Sequence, residues 1–122
     1  MIADIRETGF RASVKPDGET MELVLTGTAD GRAMQPLAQL LPALHTRVLE
    51  LGAKKVVVDC TDLEFMNSSC FKSFVTWIAT AEEAGLKYQI VFVSSPKQLW
   101  QRRSLHALVT FAPRLVSIQR RG

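Results

Sequence analysis

The chain has 122 residues, 47% of them hydrophobic and 22% charged, with a formal net charge of +3 and a pI near 9.1. That length suits a single domain over residues 1–122, because smaller pieces would not bury a core, and the composition excludes a disordered chain. No apolar run approaches the ~20 residues that cross a bilayer, and "MIADIRETGF" lacks the apolar stretch of a secretory signal.

Two cysteines, Cys60 and Cys70, and two histidines, His45 and His106, form neither a disulfide framework nor a cluster with metal spacing. No metal or cofactor is expected, no catalytic residue is assigned, and the expected location is the cytoplasm. The positive excess gathers late, in "KQLWQRRS" and "QRRG". A nucleic-acid surface wants a broad basic face with stacking aromatics. Only Trp100 lies beside Arg102 and Arg103, so the basic ends read as solvated surface and nucleic acid is not an expected partner; an acidic protein would explain the charge as well as RNA does.

In chain order, Phe10, Ala12 and Val14 alternate with Arg11, Ser13 and Lys15, the period of a half-buried strand. "PDGE" supplies a turn, and "MELVLTG" returns with Met21, Leu23 and Leu25 on one face, so the two runs predict an antiparallel hairpin. Over residues 33–51, Leu37, Leu40, Leu41, Leu44, Val48 and Leu51 share one side of a helix. Pro36 suits its first turn, Pro42 predicts a kink, and Gly52 ends it. "KKVVVDC" predicts a strand covered on both faces, followed by a loop that Asp59, Asp62 and Glu64 surround as solvated carboxylates.

The next helix shows Phe71, Phe74, Val75 and Ile78 at i, i+3, i+4 and i+7 and stops at Gly85. "KYQIVFVS" reads as another buried strand. Ser95 is the expected N-cap of a third helix with Pro96 at its first position, and "PRLVSIQ" reads as an edge strand. The result is an α/β domain in the order β-β-α-β-α-β-α-β, a mixed and mostly parallel sheet with helices packed against it.

Sites in such sheets gather where strand carboxyl ends meet helix N-termini. Two polar groups are expected to meet there: Asp30, closing "TGTAD", and the "NSS" of residues 67–69. Asn67 or Ser68 is the expected N-cap. Free N–H groups at a helix start favour negative charge, so a phosphate on Ser68 fits, with Lys72 one turn on to neutralise it. Ser68 as a plain cap is the competing reading. Trp77, at the edge of the apolar stripe, is read either as core boundary or as an exposed interface anchor. Trp100 is read as core boundary, His45 and His106 as surface or cap residues, and Cys60 and Cys70 as buried and inert. A thiol-dependent enzyme or ligand binder at Cys70 is the remote alternative.

"KKVVVDCTDLEFMNSSCFKSFVTWI" resembles the signature of the STAS domain, the fold of anti-sigma factor antagonists, and "LTGTAD" resembles the family's second marker, a Gly and an Asp that close a strand. The resemblance covers nearly the whole chain. It implies a non-enzymatic protein-binding module in which Ser68 is the phosphorylation site. Its implied partners are a serine kinase that is also the anti-sigma factor, and a phosphatase that resets the cycle. The implied docking surface comprises Asp30, Asn67, Ser69, Lys72, Thr76 and Trp77. Asn67 stands where the family has Asp, and Cys70 where it has Gly. An alternative keeps the fold without the switch: a constitutive adaptor or scaffold subunit in a signalling or membrane-transport complex.

Overall fold

The structure, a computed structural model, describes residues 4–121. Its elements in order are β1 (Ile5–Glu7), β2 (Phe10–Asp17), β3 (Thr20–Ala29), α1 (Gly31–Leu51), β4 (Lys55–Met66), α2 (Ser68–Glu83), β5 (Gln89–Ser94), α3 (Leu99–Phe111) and β6 (Val116–Arg120). They form one six-stranded sheet whose spatial order is the chain order. β1, β2 and β3 pair antiparallel. From β3 to β6 every pairing is parallel.

Each of the three crossovers steps one strand in the same direction, so right-handed connections bring α1, α2 and α3 to the same face. Burial follows that geometry. Met21, Leu23, Leu25, Val56, Val58, Ile90 and Phe92 are buried, whereas Glu22, Val24, Val57 and Val91 between them are only half-buried. The strands expected to be covered on both faces are therefore covered by helices on one. A continuous valine run reads alike in both cases, and a half-buried β-branched residue suits a pleated surface either way.

The helix face is closed mainly by leucines. Leu37, Leu40, Leu41, Leu44 and Val48 of α1 are buried, as the spacing predicts, while Leu51 at the frayed end is exposed. Phe74 of α2 meets Phe92 of β5 edge-on with ring centroids 6.1 Å apart, and Trp77 edge-on at 6.1 Å. Burying each such ring stabilises by about 1.5–3 kcal/mol, and the edge geometry fixes the pose of α2 on the sheet.

Several boundaries differ from the expectation. β1 was hidden in a charged terminus, where three residues give too short a pattern to read. α1 starts at Gly31, because Asp30 caps it by accepting the Arg32 N–H at 3.0 Å. Pro36 thus lies beyond the first turn, and neither proline interrupts the helix; Pro42 sits on its exposed side. Gly52 ends it in the left-handed region. α3 starts at Leu99, not at Pro96, since Ser95 closes a separate turn, its Oγ accepting the Lys97 N–H at 3.2 Å.

The largest correction concerns β4, which does not give way to a loop after Cys60 but continues to Met66 alongside β3. Val24 and Thr26 face Asp59 and Asp62, and Gly27 and Thr28 face Leu63 and Phe65, so β4 carries one extra residue at each shift. Asp59 secures the first bulge: its Oδ1 accepts both the Thr61 N–H at 3.0 Å and the Thr61 hydroxyl at 2.7 Å. Its Oδ2 accepts from Arg121 at 3.1 Å. Asp59 is therefore a half-buried structural carboxylate. Burial pushes its carboxyl up, but the Thr61 bonds and the Arg121 charge outweigh that and hold it below the ordinary range.

β5 stops pairing at Asp59, which leaves the far part of β4 with an open edge. Side chains from α3 fill it. The Gln101 amide donates to the Cys60 and Leu63 carbonyls and accepts the Ser95 N–H at 3.0 Å. Trp100 donates its indole N–H to Leu63 O at 3.2 Å, and Gln98 reaches Thr61 O at 3.5 Å. Gln101 is 1% exposed, and a buried amide is tolerable only when satisfied in this way.

Candidate functional site

β3 and β4 end side by side, with Ala29 paired to Met66. The next residues are the caps of two helices. Asn67 is the N-cap of α2, its Oδ1 accepting the Cys70 N–H at 2.8 Å, and Asp30 is the N-cap of α1. The backbone ties them together: Asn67 N–H donates to Ala29 O at 2.9 Å, and Cys70 Sγ reaches Asp30 O at 3.5 Å. Two helix N-termini thus open on one rim, as the sequence predicts.

Ser68 is the first residue of α2 and is exposed, as is Ser69. With Asn67 doing the capping, the Ser68 hydroxyl has no structural duty, and the first N–H groups of the helix have no carbonyl to serve. Lys72 and Thr76 follow one and two turns on and are exposed, Thr76 donating to Lys72 O at 3.1 Å. Asp30, Asn67, Ser68, Ser69, Lys72 and Thr76 therefore share the rim or the outer run of α2.

Trp77 is a correction. It is 2% exposed, and its indole N–H donates to Tyr88 Oη at 3.0 Å, so it is no exposed anchor. The apolar stripe is wider than the i, i+3, i+4, i+7 set, and the indole satisfies its polar atom inside. Tyr88 in turn reaches His45 Nδ1 at 2.7 Å, which makes His45 a part-buried network residue and not a surface cap. Burial pushes the Tyr88 phenol up to about 12, with the Trp77 bond pulling the other way. Burial also holds His45 below the usual histidine range.

Cys70 packs inside, and burial, with the Asp30 charge behind it, raises its thiol. That is the opposite of what a nucleophilic thiolate needs. Cys60 is likewise buried and raised, chiefly by desolvation. Among the described residues no group of His, Cys, Asp and Glu is arranged to hold a metal ion, and no helix is long and apolar enough to cross a membrane.

Two rim residues escaped the sequence reading. Phe65, three residues before Ser68, is 48% exposed, and Met34 in the first turn of α1 is 44% exposed. Large apolar side chains displayed beside polar ones are typical of interaction surfaces. The signal was present in "EFMNSS", where strand alternation interrupted by bulges turns Phe65 outward.

Gly27 explains the second marker. It lies at φ 91°, and a Cβ there would strike the Gly9 carbonyl. The same carbonyl accepts the Thr28 N–H at 2.7 Å, so the β1–β2 turn is clamped onto the strand that delivers Asp30.

Comparison with known proteins agrees with this layout. Residues 12–109 match the family model described as "Mlab, STAS domain". No curated protein matches the chain. An anti-sigma factor antagonist from Mycobacterium paratuberculosis superposes with a TM-score of 0.64 at 19% identity, over 85% of this chain and 83% of that one. An uncharacterised DUF3478 protein with a SpoIIAA-like fold from Shewanella loihica gives 0.56 at 11% identity, over 91% and 85%. With its sheet order, its paired helix caps and a family match across most of its length, the chain belongs to the STAS domain family.

Proposed function

We propose that this protein is a non-catalytic regulatory module that docks a protein partner on the rim around Ser68, and that a phosphate on Ser68 expels that partner. One observation carries the reading: Ser68 is exposed at the first turn of α2 while Asn67, not Ser68, caps the helix. A hydroxyl in that position is free for modification.

The chemistry follows from the site. A phosphate adds about −1.5 to −2 charge and three acceptor oxygens, and the start of α2 is the end of the helix that tolerates them. The fold is therefore undisturbed and the change is felt at the surface, where charge and bulk arrive beside Phe65 and Asp30. A partner that buried Phe65 would lose its fit. The Mycobacterium structure is, by its name, an anti-sigma factor antagonist; the matching partner here is a serine kinase acting as anti-sigma factor, with a phosphatase to reset Ser68. Phosphate mapping after incubation with the cognate kinase tests this. Label on Ser68 that is absent from Ser68→Ala supports it, and partner release that persists in Ser68→Ala overturns it.

A second reading is supported by Cys70, whose buried side chain fills the position where the family pattern has glycine and closes on Asp30 O. A rim altered in this way suits a constitutive adaptor in a signalling or membrane-transport complex, without a phosphate switch. Pull-down with Ser68→Asp separates the two, since only the adaptor keeps its partner.

A further inference from the structure

The groove between α1 and α2 is a second candidate site, distinct from the hydroxyl of Ser68. It has a volume of about 450 Å³, within the range of small-molecule sites. Its accessible apolar surface comes from Ala38 and Pro42 on α1, over a floor of buried Leu41 and Trp77. Its titratable lining consists of His45 and Lys72; no carboxylate lines it.

The hydrogen-bond chain beneath the groove sets what it can offer a ligand. An indole N–H only donates, so Tyr88 Oη accepts from Trp77 at 3.0 Å. Tyr88 Oη also pairs with His45 Nδ1 at 2.7 Å, and we take the tautomer in which the phenol is the donor of that bond. In that tautomer Nδ1 accepts and the neutral ring carries its hydrogen on Nε2, which has no protein partner among the described residues. Since no fully buried side-chain nitrogen or oxygen lacks a partner there, Nε2 is not fully buried. Ser73, Thr76 and Thr80 spend their hydroxyl hydrogens on carbonyls of their own helix. Lys72 belongs to none of the ion pairs among the described residues, and the nearby Arg47 is taken by Glu50 at 3.5 Å. The groove therefore presents the His45 ring, the Thr46 and Ser69 hydroxyls and the Lys72 ammonium, with no carboxylate in its lining to oppose an anion.

We propose that this groove binds a small amphipathic monocarboxylate, its apolar body against Ala38 and Pro42 and its carboxylate on Lys72 and His45 Nε2–H. A neutral ligand of the same shape would leave the ammonium unanswered, and a dianion would exceed the charge the groove supplies. The assignment concerns the chain with Ser68 unmodified, because a phosphate there would compete for Lys72.

Isothermal titration of the full chain with para-butylbenzoate, and with neutral para-butylbenzamide, tests it. Saturable binding of the benzoate is expected, with the benzamide about tenfold weaker or worse, as loss of a charge-assisted contact implies. Lys72→Gln should remove that preference, and Ala38→Trp, which fills the groove from an exposed position, should abolish binding while circular dichroism stays unchanged. Ser68→Ala should bind as the parent does, so this result and the phosphorylation result stand or fall separately. Absence of saturable benzoate binding, equal affinity for the two probes, or a preference that survives Lys72→Gln overturns the assignment.

Discussion

The carbonyl of Gly9 sits where a side chain on Gly27 would have to begin. Gly27 is held at φ 91° beneath it. Alanine there meets both a disfavoured backbone conformation and a clash with main chain that cannot rotate away. Gly27→Ala should lose about 2 kcal/mol or more. Gly18, also at positive φ but with open space around it, should lose only about 1 kcal/mol as alanine. Urea denaturation of both variants measures the difference, and equal losses would show that the clash is relieved.

Gln101→Leu should cost about 2–3 kcal/mol, because it strips partners from the Cys60 and Leu63 carbonyls and the Ser95 N–H while leaving all three buried by α3. Hydrogen exchange should quicken first at Ser95, whose amide depends on that side chain. Unchanged exchange at Ser95 would contradict the bond.

Trp77→Phe keeps the ring but removes the donor to Tyr88. A loss of about 1–2 kcal/mol is expected, with partner affinity unchanged because the residue is 2% exposed. An affinity loss at full stability would restore Trp77 to the docking surface.

Ser68→Ala and Ser68→Asp should both fold with stability within about 0.5 kcal/mol of the parent, the aspartate slightly favoured by the helix start. Their partner binding should diverge, alanine retaining it and aspartate losing it. Thermal melts and pull-down on the same preparations read both quantities.

The pH dependence of stability should carry a histidine limb. Burial keeps His45 neutral to lower pH in the folded chain than in the unfolded one. The unfolded chain therefore binds the proton first as pH falls. Stability is complete above the unfolded value of about 6.5, declines as pH drops from there toward the folded value, and levels below it. His106 is exposed. His45→Gln should flatten this limb in denaturation curves between about pH 5 and 7, and a limb that persists would assign the proton elsewhere.

Much of this arrangement was legible before coordinates. The leucine spacing of α1 and the phenylalanine spacing of α2 encode one face each, and Asn67 before two serines marks a helix start, because caps are local chemistry. β4 was not legible past Cys60. Thr61 and Glu64 break the alternation, and that break is the bulge pattern itself, visible only once β3 lies alongside. Trp77 and His45 were misplaced for a related reason. Both are settled by Tyr88, a residue on another segment whose position no periodicity announces. α3 was started too early because Ser-Pro is an equally good opening for a turn.

The end of β4 runs past its neighbour, and an uncovered strand of that kind invites another molecule to add itself to the sheet. Here the row of acceptors is occupied by a glutamine amide and an indole from a helix, which cannot be copied by a second chain in extended form. The molecule thereby closes a seam to strand exchange and fibril growth without adding a residue to β5, and a chain whose α3 detached would regain an adhesive border within a few residues of Ser68.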